Sequence, residues 1–492
     1  MMLKVINKGQ GVNQTEKRLI ELANSAFIGL WSYPNVYSDE GLSKNKSGKE
    51  VCDLLVVFED NVILFSDKDI NFNEEIEVSV AWKRWFKKSI TESAVQLHGA
   101  EKFLKDHHGR LFLDKKCKVP FPVKINRDMR FFLIAVTNNS SVPASNFFSR
   151  IAEGSSGTLM NVFSFGIKES MEQPFSIGDI YPNKTFVHVL DELSLNLLLS
   201  ELDTITDFVS YLKEKERVVR SGLLRLSPGE DDTLAAYLSG HGVIVDEKLV
   251  PENTFVQIAE NEWEVLKKSP QYDYYKAMKK GSVFWDEMIQ RLSESILTAT
   301  VGLGIENDFH SHEETVRQLA AESRVSRYHL SKAFIEKFKQ VPTNRRSSRI
   351  VESIDEKGKY YIFLFFPRDE GLSYEKYRLE RFSCVQMYAL VAKYKYSQIK
   401  KLIIIATESK DSEGRSEDVV YCKFDEPLTK DERLLAKKSM KEYSVLTDIL
   451  PKPTSYMSTF PIVNNEKKWE EMSLAIVAQE KNSKNVMGRK IL

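Results

Sequence analysis

The stretch CDLLVVFEDNVILFSDK, residues 52 to 68, sets two apolar runs back to back across Glu59-Asp60. Each run is apolar at odd and even positions alike, so neither strand keeps a face for water. Strands of that kind belong to the middle of a sheet covered by helices on both sides. The flanking segments supply the cover. From about Gln14 to Leu30, the residues Leu19, Ile20, Ala23, Ala26, Phe27 and Leu30 recur at helical spacing. From about Ala81 to Lys105, Trp82, Trp85, Phe86, Ile90, Leu97, Ala100, Phe103 and Leu104 form a second buried stripe, with Lys83, Arg84, Lys87 and Lys88 crowding the other side. The segment WSYPNVYSDEGLSKNKSG before the hairpin reads as turn-rich, and MRFFLIAVT at 129 to 137 reads as another central strand. Helix, two strands, helix, strand is an α/β order.

Beyond it, EGSSGT at 153 to 158 reads as a loop, TFVHVLDE as a strand, and LNLLLSELDTITDFVSYLKEKERVV as one or two helices. From about Gly222 to Asn344 the pattern is mostly helical, interrupted at Pro228, Gly240-His241-Gly242, Pro251 and Pro270. After a polar break at TNRRSS, the runs YYIFLFF, KLIIIAT and DVVYCKF, with helices from about Tyr374 and after Thr429, make a second α/β unit. The expected layout is an α/β domain over 1–150, a mixed but mostly helical middle region over 151–345, and a C-terminal α/β domain over 346–492. The polar tail from Glu480 is expected to fray.

The 492 residues are 42% hydrophobic and 28% charged, enough to bury two to four cores. Seventy basic residues balance 70 acidic ones, so no global field draws the chain to nucleic acid or an anionic membrane. Any nucleic-acid surface must be local, and Lys83, Arg84, Lys87 and Lys88 are the candidates. Cys52, Cys117, Cys384 and Cys422 lie far apart, with no CxxC pair, which reads as reduced thiols in a cytoplasm. The N-terminus lacks an apolar signal core, and no window approaches a membrane span, so a cytoplasmic location without membrane contact is expected. No GxSxG, P-loop or GxGxxG-then-helix arrangement occurs, which argues against serine hydrolase, nucleotidase and dehydrogenase chemistry.

Glu50, Asp53, Ser66 and Lys68 bracket the hairpin. Alternation puts Ser66 and Lys68 on one face and Asp67 on the other, and the hairpin can bring Asp53 beside Ser66 and Lys68. Glu50 lies three residues before Asp53, an odd spacing, so it shares the site only from a loop before the strand. Carboxylates beside a lysine are the groups that phosphodiester hydrolysis needs: oxygen ligands for a divalent cation, and a cation for charge developing on the phosphate.

The arrangement resembles the PD-(D/E)xK, or restriction-endonuclease-like, nuclease superfamily, including its Mrr-like and NERD branches. The likeness covers about residues 13 to 140. In it Asp53 matches the first acid, Lys68 the lysine, and Glu16 or Glu50 an auxiliary acid, while Gln96 in SAVQLHGA is similar to a glutamine that some branches use to hold the site. It implies a restriction-endonuclease-like N-terminal domain, Mg²⁺ or Mn²⁺ on Asp53 with Glu50 or Glu16, and cleavage of nucleic acid, DNA foremost, in bacterial defence or genome maintenance. Protein partners or a homo-oligomer are compatible with it. One departure matters: Ser66 stands where the second acid belongs. Glu16 or Glu50 could supply that acid, or a bulge could swing Asp67 inward; otherwise the site is a relic and the chain a binding module. The whole chain also resembles a group of bacterial proteins carrying LWSYPN, CDLLVVF and FSDK segments, a likeness that implies no activity.

Each residue has a plainer reading. Glu16 completes a capping box opened by Asn13, Asp53 and Lys68 form a hairpin-edge ion pair, and Gln96 borders a helix face. Elsewhere, TVRQLAAESRVSRYHLSKAFIEKF resembles the helix-turn-helix of arabinose-regulator-type factors, which would aim Arg327, Tyr328 and Lys332 at DNA; a plain helical pair is the alternative. His310 and His312 in HSHEE would diverge on a helix, which disfavours a metal site, and His188 reads as a sheet histidine.

Overall fold

The computed structural model describes residues 3–150, 156–252, 254–302, 307–369, 371–410 and 416–447. The tail from Glu480 and residues 153–155 of the expected loop lie outside them. The chain is mixed α/β and divides into two compact units, Met1–Ser269 with Leu292–His310, and Pro270–Arg291 with Ser311–Leu492. Among the described residues no helix is long and apolar enough to cross a membrane.

In the first unit the helix Gln14–Phe27 starts at Asn13, whose side chain accepts from the Glu16 amide. Three strands follow as an antiparallel meander: β1 (Ser32–Ser38), β2 (Lys49–Phe58) and β3 (Asn61–Lys68). β1 is a departure from the sequence reading, which expects turns there. Pro34 and Asn35 disguise it, since a strand with those residues has no apolar run to announce it, yet all seven of its residues are buried. A long helical segment then crosses over. It runs as Val78–Phe86, a π-helical turn Lys87–Thr91, and Glu92–His107, where one uninterrupted helix was expected. After the short β4 (Leu111–Phe112), β5 (Arg130–Thr137) lies parallel to β3.

Beyond these come β6 (Met160–Val162), β7 (Ser176–Ile177) and β8 (Val187–Asp191). β8 pairs in parallel with β5, from Leu133 opposite Val187 to Thr137 opposite Asp191, so the sheet takes its last strand from beyond residue 150. Without it β5 would leave a buried row of unpaired backbone groups. The strand order is β4-β1-β2-β3-β5-β8. One face packs Leu55, Val57, Val62, Leu64, Leu133 and Ala135 against Trp82, Trp85, Phe86, Leu97 and Leu104 of the crossover segment. The other lies against the helix Gln14–Phe27, whose Leu19, Ala23, Ala26 and Phe27 are buried. Double cover of this kind is what the apolar runs demand. A second small sheet joins β6 and β7 to β9 (Leu224–Ser227) and β10 (Val256–Gln257).

The second unit holds a four-stranded sheet of β11 (Ser347–Glu352), β12 (Lys359–Phe366), β13 (Lys401–Glu408) and β14 (Asp418–Lys423), in that order. Helix Tyr374–Lys395 covers one face with Val385, Tyr388 and Val391, while Trp285, Phe334 and Phe338 meet Tyr361, Phe363 and Phe365 on the other. Arg324–Gln340 is a core helix, as the plain helical pair requires and not as a DNA-reading helix would be placed. Arg327 is 1% exposed and Tyr328 5%. Arg327 donates to Asp286 and to the carbonyls of Ala320 and Glu322, so its charge is spent inside the protein. Beside it Lys359 pairs with Glu322 at 2.7 Å, both buried. Removing one partner of such a pair strands the other charge, so Lys359→Met should destabilise this unit by about 3–5 kcal/mol. Urea denaturation monitored by tryptophan fluorescence checks it; a midpoint unchanged from wild type would show that the pair is dispensable.

Candidate active site at one end of the first sheet

β2 and β3 are paired from Leu54 opposite Phe65 to Phe58 opposite Asn61, and the ladder stops short of Asp53 and Ser66. There the hairpin opens, and the Asp53 carboxylate accepts the Asp67 amide N–H at 2.6 Å. On the next helix Gln96 Oε1 accepts from Lys68 Nζ at 3.0 Å and from Ser66 Oγ at 3.4 Å, and Ser93 Oγ lies 3.3 Å from Ser66 Oγ. Lys68 and Ser66 thus share one face and one partner. Gln96 is presented with its oxygen toward the lysine, so the ammonium is held at the mouth of the site rather than left to swing.

Glu50 reaches the site from within β2, not from a loop. The pairing of β1 with β2 shifts between Val36 and Tyr37, so that Val36 faces Cys52 but Tyr37 faces Glu50. One extra residue, Val51, is taken up in β2, and a bulge of this kind resets the alternation that made the spacing look wrong. Glu50 Oε1 accepts from Asn35 Nδ2 at 2.6 Å, and the same amide lies 3.5 Å from Glu16 Oε2. Glu16 forms only half of the expected capping box: Asn13 Oδ1 accepts its amide at 2.8 Å, but its carboxylate takes the Val12 N–H at 2.7 Å and the Asn13 side-chain amide at 2.9 Å in place of the Asn13 backbone N–H. Asp67 does not swing inward: its carboxylate accepts from the Thr15 hydroxyl and, at 2.8 Å, from Asn138 Nδ2.

The electrostatics tie these groups together. Burial pushes the Asp53 carboxyl up to about 7; the Asp67 N–H and the Lys68 ammonium oppose this, and Glu50 and Glu16 add to it. Tyr37 is pushed up to about 12, by burial first and then by Glu50 and Glu16. Burial, then Asp53 and Glu50, raise the Cys52 thiol. Three carboxylates therefore act on one another with Lys68 as the cation that acts on Asp53. Among the described residues no three His, Cys, Asp or Glu side chains form a ready-made metal cage, and Glu50 and Glu16 share the Asn35 amide beside Asp53. The donor set still fits a hard cation: Mg²⁺ is commonly held by one or two carboxylates, with waters and substrate phosphate completing its shell.

The basic segment stands apart from these contacts. Lys83 pairs with Glu172 at 2.6 Å, and Arg84, Lys87 and Lys88 are exposed. A cleft of about 480 Å³ beside Glu50 and Gln96 is bordered instead by Lys49, Lys102 and His107, with Val95 and Phe103 as apolar walls. Glu40, Glu50 and Asp106 also line it, Lys49 pairs with Glu40 at 3.3 Å, and Val95, Lys102 and Phe103 follow Gln96's own helix at one-face spacing. His310 and His312 belong to no metal-binding group among the described residues. His188 sits in β8 between Phe132 and Phe186, 1% exposed, and burial lowers its basicity far below the ordinary range. It is a neutral sheet histidine.

Compared with family models, curated proteins and solved structures, the chain matches none.

Proposed function

We propose that this chain is a nuclease, a Mg²⁺- or Mn²⁺-dependent hydrolase of phosphodiester bonds acting on DNA, with a restriction-endonuclease-like N-terminal unit. The observation that carries the reading is the meeting of Asp53, Lys68 and Gln96 where an antiparallel hairpin opens beside a crossover helix. The element order supports it too: helix, three antiparallel strands, helix, parallel strand. Asp53 would hold the cation with Glu50 or Glu16. A bound divalent cation would supply Lewis acidity to the phosphate and a more acidic water. Lys68 would sit against the phosphate oxygens and stabilise the charge that grows there. Gln96 would keep Lys68 oriented, a role for which its acceptor oxygen suits it. A place in bacterial defence or genome maintenance follows from family analogy alone.

A second reading draws on Ser66. With a neutral hydroxyl in place of an acid and no three-carboxylate group among the described residues, the same fold would serve as a nucleic-acid or protein binding module. Metal binding is the first point at which the two readings part, and it carries a pH signature. Protons and cation compete for Asp53, whose carboxyl ionises near 7. Affinity for Mn²⁺ should therefore rise by about tenfold per pH unit below that point and level off above it. In the metal-free chain, stability contributed by protonated Asp53 is fully present below the ordinary carboxylate range and is lost as pH rises through about 7. Calorimetric titration with Mn²⁺ across that window tests the first statement, and urea denaturation of the metal-free chain at the same pH values tests the second. No binding at any pH favours the binding-module reading.

A further inference from the structure

We infer that Asn35 is a positioning residue, the amide clamp that holds Glu50 and Glu16 toward the cation side of the site; this deepens the nuclease reading and rests on it. Asn35 lies in the middle of β1, between Pro34, paired with Leu54, and Val36, paired with Cys52, so it stands opposite Asp53 in the register. Its backbone is left-handed, with φ 49°. A non-glycine residue in that region is uncommon inside a strand, and where it persists the surroundings must over-determine it. Here they do. The side chain is 5% exposed and fully used: Nδ2 donates to Glu50 Oε1 at 2.6 Å and lies 3.5 Å from Glu16 Oε2, while Oδ1 accepts the Gly11 N–H at 3.1 Å.

The chain before the first helix is shaped around this amide. A Cβ at Gly9 would fall 2.9 Å from both Asn35 Oδ1 and the Pro34 carbonyl oxygen, and Gly11 itself has φ +77°. Residues 9 to 12 therefore reach Asn35 through Gly11 and Glu16 through Val12. The left-handed turn comes just before the register shift that sets Tyr37 opposite Glu50. One residue thus redirects the strand and neutral donors bridge two acids of like charge, where a lysine or arginine would neutralise them and compete with a cation. An amide orients a carboxylate without removing its charge.

Asn35→Gly separates this role from a structural one, because glycine adopts the same φ without cost while deleting the amide. Mn²⁺ affinity, measured by titration calorimetry at one fixed pH, should fall about 10- to 100-fold, the usual effect of removing a partner that orients a metal ligand. Glu50→Gln should weaken binding similarly, and adding Asn35→Gly to Glu50→Gln should change little further, since both remove the same arrangement. Gly9→Ala, which crowds the amide from outside the strand, should weaken binding in the same direction and serves if Asn35→Gly does not fold. Wild-type affinity in Asn35→Gly, or in Gly9→Ala where that variant has to stand in, would overturn the clamp while leaving the nuclease reading in place. So would additive losses in the double variant. Absence of Mn²⁺ binding by the wild-type chain would remove both.

Discussion

Asp53→Asn should abolish metal-dependent cleavage while leaving the first unit at least as stable as wild type above about pH 7. Both halves follow from one carboxyl group. Asparagine keeps an oxygen where Asp53 accepts the Asp67 N–H, so the opened hairpin retains its bond. It loses the anionic oxygen that a hard divalent cation requires. Because burial, Glu50 and Glu16 all raise the Asp53 carboxyl, the ionised group weighs against the folded state, and removing its charge relieves that cost. A residue serving only as a hairpin-edge ion pair would behave oppositely, losing stability along with the Lys68 attraction. Thermal melts at about pH 8 with and without Mn²⁺ separate the two. The expectation is that Mn²⁺ raises the wild-type midpoint and leaves that of Asp53→Asn alone.

Lys68→Ala carries the second large effect. Its ammonium lies at the end of β3, half-buried and held by Gln96 at 3.0 Å, with the strand's apolar residues already packed behind it. Truncation costs the core little. If Lys68 stabilises the transition state, cleavage should drop by roughly a hundred- to a thousandfold, the scale of losing one well-placed donor. Mn²⁺ affinity should change far less, since lysine is not a ligand. Gln96→Ala should give a smaller loss that does not add to that of Lys68→Ala, because the glutamine acts through the lysine. Equal cleavage by wild type and Lys68→Ala would leave Lys68 a structural residue.

How far these groups were legible beforehand depends on the physics each one obeys. DLLVVF and NVILF announce central strands because nothing else accommodates runs without a polar face, and the alternation of β3 puts Ser66 and Lys68 together without reference to the rest of the chain. Gln96 follows from helical spacing in the same way. β1 escapes because its burial comes from its neighbours and not from its own residues: Pro34 and Asn35 have poor strand propensity. With β1 hidden, the bulge at Val51 and the left-handed turn at Asn35 are hidden too, and those are what bring Glu50 to Asp53. Asp67 is settled by Thr15 and Asn138, from 52 and 71 residues away in the chain, contacts no local pattern encodes. The basic surface is a similar case. Lys83 is claimed by Glu172 and Lys49 by Glu40, partners 89 and 9 residues away that the run of basic residues does not show. In the second unit a helix with the spacing of a DNA reader spends its arginine on Asp286.

Ser66 is the residue on which the enzyme and the binding module differ most, since its hydroxyl donates to Gln96 where a second acid would bind a cation. Ser66→Asp should be tolerated or shift the metal preference if Glu50 or Glu16 already serves, and could awaken weak cleavage if neither does. The most direct measurement is cleavage of single- and double-stranded DNA and RNA by the full chain in Mg²⁺ or Mn²⁺, with Asp53→Asn run beside it. A nuclease built on this site cuts at least one of these substrates, DNA first, only with metal, and Asp53→Asn cuts none. Failure of both wild type and Ser66→Asp to cut any of them, or cleavage that survives in Asp53→Asn, would contradict it.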